Sequence, residues 1–378
     1  MHSFIPDAVR GLQVVDIDQR LSALARFEGA PAPTTQEELW RYSRIGELNL
    51  DSYMYGLADT TVEGADAVRV NEPCDVLDRA LDQFEDLNRA FMSQITLRIP
   101  AGVVVRDPIL ITHTLSSDGI VAFPRLVIDA GPDSEVIVIE RFVCDDDIGS
   151  IVMPVLHVRA QQAARVKYIA INELGVRAWQ FANQQSVGER DSSTLLSAVA
   201  LGGDYARVRT HATLVGKGAS TRQVALYFAD GSQTHDFRIT QEHVAPKTTA
   251  DLLFKGAVND SARSVYTGLI KIGPEARGTQ AFQTNRNLTL SDGAWAESVP
   301  NLEIETNDVK CSHASTVGPI DEEQRFYLES RGIEPDIAER LVVLGFFDEV
   351  LGQLPIGPLA GELRERISRK LHQAVVAA

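Results

Sequence analysis

The spacing of apolar positions changes character twice along the 378 residues. Up to about residue 94 it is helical. Asp16 to Phe27 is short and amphipathic, and Thr35-Gln-Glu-Glu38 resembles a capping box ahead of Leu39 and Trp40. Asp75 stands as a cap for a longer helix in which Leu77, Leu81, Phe84, Leu87 and Phe91 recur at helical spacing. Gly29 to Pro33 and Asp59 to Asn71 read as loops.

Between 95 and 318 the period shortens to two, or the apolar residues gather in short runs. Ile109-Leu-Ile111, Val136-Ile-Val-Ile139, Val166-Lys-Tyr-Ile-Ala-Ile171 and Ile270-Lys-Ile272 are examples. Short β-branched runs punctuated by Gly, Asp, Asn and Pro predict many short strands. No helical pattern separates them, which excludes βαβ architecture. A sandwich of this length would be large. A parallel β-helix suits the run better, because each coil pairs with the next and only the ends are edges. No fixed repeat is visible.

From 319 to 378 the pattern is helical again. Asp321 caps a helix that Gly332 stops, and Pro335 opens another. In that second helix Ile337, Leu341, Leu344, Phe347 and Leu351 share one face, while Val342, Val343, Phe346 and Val350 fill the neighbouring ones. A helix apolar nearly all round needs a cover. Leu363, Ile367, Leu371 and Val375 mark a last amphipathic helix. The fold class is therefore mainly β: a parallel solenoid over 95–318, between helical regions at 1–94 and 319–378.

Composition narrows the function. Hydrophobic residues at 44% and charged residues at 23% are ordinary for a globular chain. The formal charge of −16, with no dense Lys/Arg run, argues against nucleic acid as a partner. No apolar stretch is long enough to span a membrane, and the start has no secretory pattern. Cys74, Cys144 and Cys311 are odd in number and far apart, as expected in a reducing cytoplasm. Gly216-Lys217-Gly218 lacks the rest of a phosphate loop, so the chain is expected to bind no nucleotide.

The densest group of soft or imidazole ligands is Cys311-Ser-His313. Two apart in a strand, both project from one face and suit iron or an iron–sulfur cluster. Two ligands do not close a site, so others must come from elsewhere in the fold or from a partner chain. A buried Cys beside a surface His fits the same spacing. His235-Asp236 with Glu242 and His243 would suit hydrolysis, or strand-end capping; Asn285 and Asn287 read as a structural ladder. Acidic Asp145 to Asp147 disfavour a thiolate at Cys144.

Several segments resemble, in order, the SufB/SufD family of the SUF iron–sulfur assembly system. They are Thr234-His-Asp-Phe237, Lys255-Gly-Ala257, Tyr266-Thr-Gly268, Gln283-Thr-Asn-Arg-Asn287-Leu-Thr-Leu-Ser291, Pro300-Asn-Leu-Glu-Ile304, Asp308-Val-Lys-Cys-Ser-His313, Asp321-Glu-Glu-Gln-Arg-Phe-Tyr-Leu328 and Ser330-Arg-Gly-Ile333. Upstream, Glu38-Leu-Trp-Arg-Tyr42 and Asn88-Arg-Ala-Phe91 extend the match. Val309 to His313 is similar to the SufD form, with Ala314-Ser315 a small departure after the histidine.

The resemblance implies a right-handed parallel β-helix and a non-catalytic scaffold. It also implies a heterodimer with SufB through the β-helix end, and a SufC ATPase docked on the C-terminal helices. For that docking surface the expected residues are Phe326, Tyr327, Leu328, Ile333, Phe346 and Phe347. By the same resemblance His313, ahead of Cys311, would ligate a transient nascent cluster at the SufB interface. A carbohydrate-active β-helix enzyme and a purely structural β-helix adaptor are the competing expectations. The absence of a clustered carboxylate set counts against the former.

Overall fold

From residue 93 onward, successive strands pair with strands one coil away and not with their neighbours in sequence. The computed structural model describes residues 3–12, 14–71, 79–357 and 359–377. Alternate strands build two sheets. One runs from Ser93–Ile99 through Pro124–Ala130, Val155–Ala160, Trp179–Gly188, Tyr205–Leu214, Thr234–His243 and Arg263–Ile272 to Trp295–Ile304. The second runs from Ile109–Thr114 through Glu135–Val143, Arg165–Glu173, Ser193–Ala200, Ser220–Ala229, Thr249–Val258 and Thr279–Thr289 to Val309–Gly318. Every pairing along these two ladders is parallel. The chain is thus the expected parallel β-solenoid with helices at both ends.

Coil length explains why no repeat shows in the sequence. Trp179 pairs with Tyr205 and Arg263 with Trp295, so a coil takes 26 residues at its shortest and 32 at its longest. What recurs is conformation. Gly102, Asp133, Ala163, Asp191, Gly218, Lys247 and Gly278 each occupy the same corner with φ between +54° and +76°. Each donates its N–H to a carbonyl one coil on, such as Asp133 to Gln162 and Lys247 to Arg277. Such backbone is easy for Gly and costly for Ala or Lys. The hydrogen-bonded stack holds it in place.

Inside, the lumen changes along its length. The first coils are filled by Leu97, Ile111, Leu126, Ile128, Val136, Val138, Val158 and Val166. Later coils carry polar side chains that satisfy one another. Tyr227 Oη donates to Asn287 Oδ1 at 2.7 Å and accepts from Asn285 Nδ2 at 2.9 Å, while Tyr266 Oη donates to Gln283 Oε1 at 2.8 Å. Asn285 and Asn287 are therefore an internal structural ladder. Gly256 is required here, because a Cβ would lie 1.9 Å from the Tyr227 ring that crosses it.

The N-terminal region covers the outer face of the first sheet. Helices Ile17–Gly29 and Gln83–Phe91 pack there with Phe4, Trp40, Phe123, Phe181 and Tyr205. It is less helical than the sequence pattern suggests. Asp59–Glu63 and Arg69–Val70, expected as loop, pair antiparallel with Ile109–Thr114 and Ser93–Ile99 and close the first coil. A sheet edge left bare is an aggregation hazard, and short charged strands blunt it. Asp82 caps Gln83–Phe91 by accepting from Phe84 and Glu85 N–H; Asp75 lies outside the described residues. The capping box is shifted by one, with Thr34 donating to Glu37, and leads only to the single turn Glu38–Trp40.

The C-terminal region covers the second sheet. Asp321 caps Glu322–Ser330 as read, and Gly332 follows it with φ +83°. Pro335–Leu351 and Leu359–Ala377 bury Val343, Phe347, Val350, Leu363, Ile367 and Leu371 against Ile169, Val199, Val224, Leu226 and Phe228. Among the described residues no helix is long and apolar enough to cross a membrane.

Candidate functional site at the open end of the solenoid

Among the described residues the two last strands pair on one side only. Trp295–Ile304 has only Arg263–Ile272 as neighbour, and Val309–Gly318 only Thr279–Thr289. Their other edges present unpaired backbone groups, and Pro300, which has no N–H to give to a ladder, fits an edge strand. The solenoid is capped at its start and open here.

Register fixes which side chains face the mouth. In parallel pairing Ala281 lies under Cys311, Gln283 under His313, Asn285 under Ser315 and Asn287 under Val317. The four lower residues are buried in the lumen, so the four upper ones continue its wall at the rim. Cys311 and His313 do share a face, but their surroundings differ. Cys311 is half-buried against Ala250, Ile270, Ile272, Ala276 and Ala281, and burial pushes its thiol up. His313 is exposed. A thiol held protonated and packed among aliphatic groups is a poor metal donor, whereas an exposed imidazole is a good one. Leu302, Ile304 and Val317 leave an apolar rim around them, each about two-fifths exposed.

Among the described residues no three His, Cys, Asp or Glu side chains gather to hold a metal ion. His313 fits the role of one ligand at a shared site.

Two other histidines serve the fold. His235 and His243 face the lumen and are fully buried. Burial, with Lys370 nearby, depresses His235 to about 3, and burial depresses His243 to about 4. His235 bonds the Gly202 carbonyl at 3.2 Å and His243 bonds Thr248 at 2.8 Å. Asp236 points the opposite way, out of the first sheet. There it accepts from Arg207 at 2.6 Å, Arg238 at 2.6 Å and Tyr205 at 2.9 Å. Burial alone would raise its carboxyl, but the two guanidinium groups outweigh this and hold it below the usual range. Arg207 continues to the Leu39 carbonyl and stacks 3.9 Å over Trp40; Arg238 reaches the Arg41 carbonyl. The Glu38 to Tyr42 and Thr234 to Phe237 motifs, far apart in sequence, are therefore one clamp. His235, Asp236 and His243 therefore form no acid–base pair with one another, and Glu242 meets His211 at 3.0 Å instead. The sequence signal for this clamp was Asp236 and Arg238 two apart in one strand, with Arg207 in the strand one coil before.

Cys144 is buried, its thiol raised first by burial and further by Asp145 to Asp147, and its sulfur accepts from Gly175 N–H. Cys74 lies outside the described residues.

On the C-terminal cover the expected docking residues divide. Phe326 and Tyr327 are 71% and 58% exposed, and Leu328 and Ile333 are half-buried. Ile337 and Leu341 extend the exposed patch. Phe346 is half-buried under Lys255, whose Nζ sits 4.4 Å over the ring and donates to the Phe346 carbonyl at 2.9 Å. Phe347 is corrected: fully buried beside Phe228, it is core and offers no surface.

Comparison with known proteins gives these features a family. Residues 113–346 match the SufBD core domain of SUF system FeS cluster assembly. The chain is 32% identical over 359 residues to an iron–sulfur cluster assembly SufBD family protein of Mycobacterium tuberculosis, covering 89% of this chain and 87% of that one. It is 28% identical over 377 residues to the iron–sulfur cluster assembly protein SufD of Escherichia coli, covering 90% and 89%. For SufD of Bacillus subtilis the figures are 30% over 280 residues, covering 73% and 63%. The chain therefore belongs to the SufBD family of the SUF iron–sulfur cluster assembly system.

Proposed function

We propose that this chain is a SufD-type scaffold subunit of the cytoplasmic SUF complex, without catalysis of its own. Its open end pairs with SufB. The exposure of His313 on an edge strand at the rim carries this reading. Two bare edges, with Leu302, Ile304 and Val317 around them, suit extension by strands of a second β-helix subunit. A nascent cluster built between the two chains is the cargo. His313 supplies one nitrogen ligand and SufB the sulfur ligands. A neutral imidazole holds iron less permanently than a thiolate set, as release to a recipient requires. Cys311 packs beneath the rim as a small apolar side chain.

The patch of Phe326, Tyr327, Leu328 and Ile333, with the exposed edge of Phe346, receives the SufC ATPase. This chain binds no nucleotide; SufC hydrolyses ATP. Truncating each of two exposed aromatic anchors typically costs about 2 kcal/mol, or roughly 30-fold in affinity. Phe326→Ala with Tyr327→Ala is expected to keep the fold and lose SufC in a pull-down; retained binding overturns the docking surface.

The deciding experiment is reconstitution with SufB and SufC. His313→Ala should assemble and support ATP hydrolysis yet carry little iron and sulfide, while Cys311→Ala should load normally. A normal cluster in His313→Ala overturns the site.

A further inference from the structure

One glycine in the C-terminal cover serves nothing within the chain. Gly345 stands near the middle of the 17-residue helix Pro335–Leu351. A glycine in a helix interior costs about five-fold in the folding equilibrium relative to alanine. At Gly256 the cause is visible, because the Tyr227 ring crosses it. Gly345 has no such neighbour. A Cβ there would find no atom within 4 Å outside its own helix, and the residue is exposed.

Its surroundings show what the space is for. Gly345 lines an open groove of about 630 Å³ together with Leu341 and Val342 of its own helix and Tyr327 and Leu328 of Glu322–Ser330. Asp321, Glu323 and Gln324 complete the lining, which holds two carboxylates and no cation. Asp321 is engaged in capping, and Glu322 and Glu329 already meet Arg325. Glu323 is exposed and has no ion-pair partner among the described residues.

We infer that Gly345 is the seat for a bulky apolar side chain of the docked partner, with a Lys or Arg of that partner meeting Glu323 beside it. The inference rests on the SufC docking proposed above and names its central contact. A residue without a side chain lets an incoming group reach the helix backbone, flanked by Leu341 and Val342 on one side and Tyr327 and Leu328 on the other. Knobs seat in such holes between packed helices, and anchors of this kind at the centre of an interface carry most of its affinity. The five-fold cost in the free chain is then offset on binding.

The test uses the full chain with purified SufC, measured by titration calorimetry, and thermal unfolding of the full chain alone. Gly345→Ala should move the two readouts in opposite directions: a higher unfolding midpoint for the free chain, and SufC binding at least about 5-fold weaker. Gly345→Leu should weaken binding roughly 30-fold or more. Glu323→Lys should cost up to about 5-fold, and less at high salt. Unchanged affinity in Gly345→Ala overturns the seat, even where Gly345→Leu binds weakly, since leucine would obstruct any partner lying over the groove. A lowered midpoint in Gly345→Ala also overturns it and assigns the glycine to the fold. Unchanged affinity in Glu323→Lys overturns the cationic contact. If SufC is lost in Phe326→Ala with Tyr327→Ala but kept in Gly345→Ala, the docking surface stands and the seat falls. Binding kept in all of these variants overturns both.

Discussion

The two faces of the solenoid are covered in opposite ways. Over the first sheet the N-terminal region is seated on buried charge. Arg207, Asp236 and Arg238 grip the Glu38 to Tyr42 segment. Further along, Glu85 on helix Gln83–Phe91 meets His157 at 2.6 Å and Arg125 at 3.6 Å, all buried. Over the second sheet the C-terminal helices lie chiefly on aliphatic and aromatic side chains, with fewer buried charges, as where Arg366 meets the buried Glu173 and Lys370 meets Asp230. Buried ion pairs add little net stability, but any displacement leaves a charge stranded, so they define one seat. Apolar contact is non-directional and roughly proportional to area. The N-terminal cover is thus fixed in register. The C-terminal cover is held mainly by the apolar area it buries.

Breaking the charged seat should have the largest effect. Asp236→Ala strands Arg207 and Arg238 and is expected to cost about 3–5 kcal/mol in denaturant unfolding. Protease should then cut first near Tyr42, which sits at φ +65° and depends on the clamp. Replacing Arg207, Asp236 and Arg238 together by apolar residues of similar volume should cost far less, because no charge is left alone.

Acid acts next, on the lumen before the charged seat. His235 and His243 are neutral in the fold down to about 3 and about 4, while the unfolded chain takes up the same protons near 6.5. Their stabilisation is complete above 6.5 and is lost as pH falls toward those values. Asp236 and Glu85, held below their ordinary 3.8 and 4.5, add a further loss at lower pH. His235→Gln should reduce the slope of stability against pH between about 6 and 4.5 by about 1.4 kcal/mol per unit. An unchanged slope places the proton uptake elsewhere.

On the apolar side the expected costs are smaller. Lys255 is buried, but its partner Glu349 is half exposed, so removing the lysine strands no buried charge. Lys255→Met gives up the bond to the Phe346 carbonyl and the ring contact, about 1–2 kcal/mol by thermal unfolding. Ile367→Val, removing one methyl from the C-terminal cover, should cost about 1 kcal/mol. A value above that of Asp236→Ala would reverse the comparison.

Much of this was legible before any coordinates. Strand alternation, the Asp321 cap, the Gly332 stop and the over-apolar helix around Phe346 each depend on residues a few positions apart. The Cys311–His313 pair was found for the same reason. The strand Asp59–Glu63 was missed even though Thr60, Thr61 and Val62 are β-branched, because its partner begins at Leu110.

The sequence by itself determined that short strands would stack between helical ends and that His313 and Cys311 would share a face. Those outcomes are local, set by the period of two, the period of 3.6 and capping chemistry. Tertiary structure alone decided which of the pair is exposed, that Phe347 is core, and that Trp40 meets Arg207. It also decided that Ala163 and Lys247 take a backbone conformation suited to glycine. Coil pairing spans 26 to 32 residues with no fixed repeat, so those contacts leave no periodic mark on the chain. The corner is held by hydrogen bonds from the coils on either side, and that support exists only once the coils have stacked.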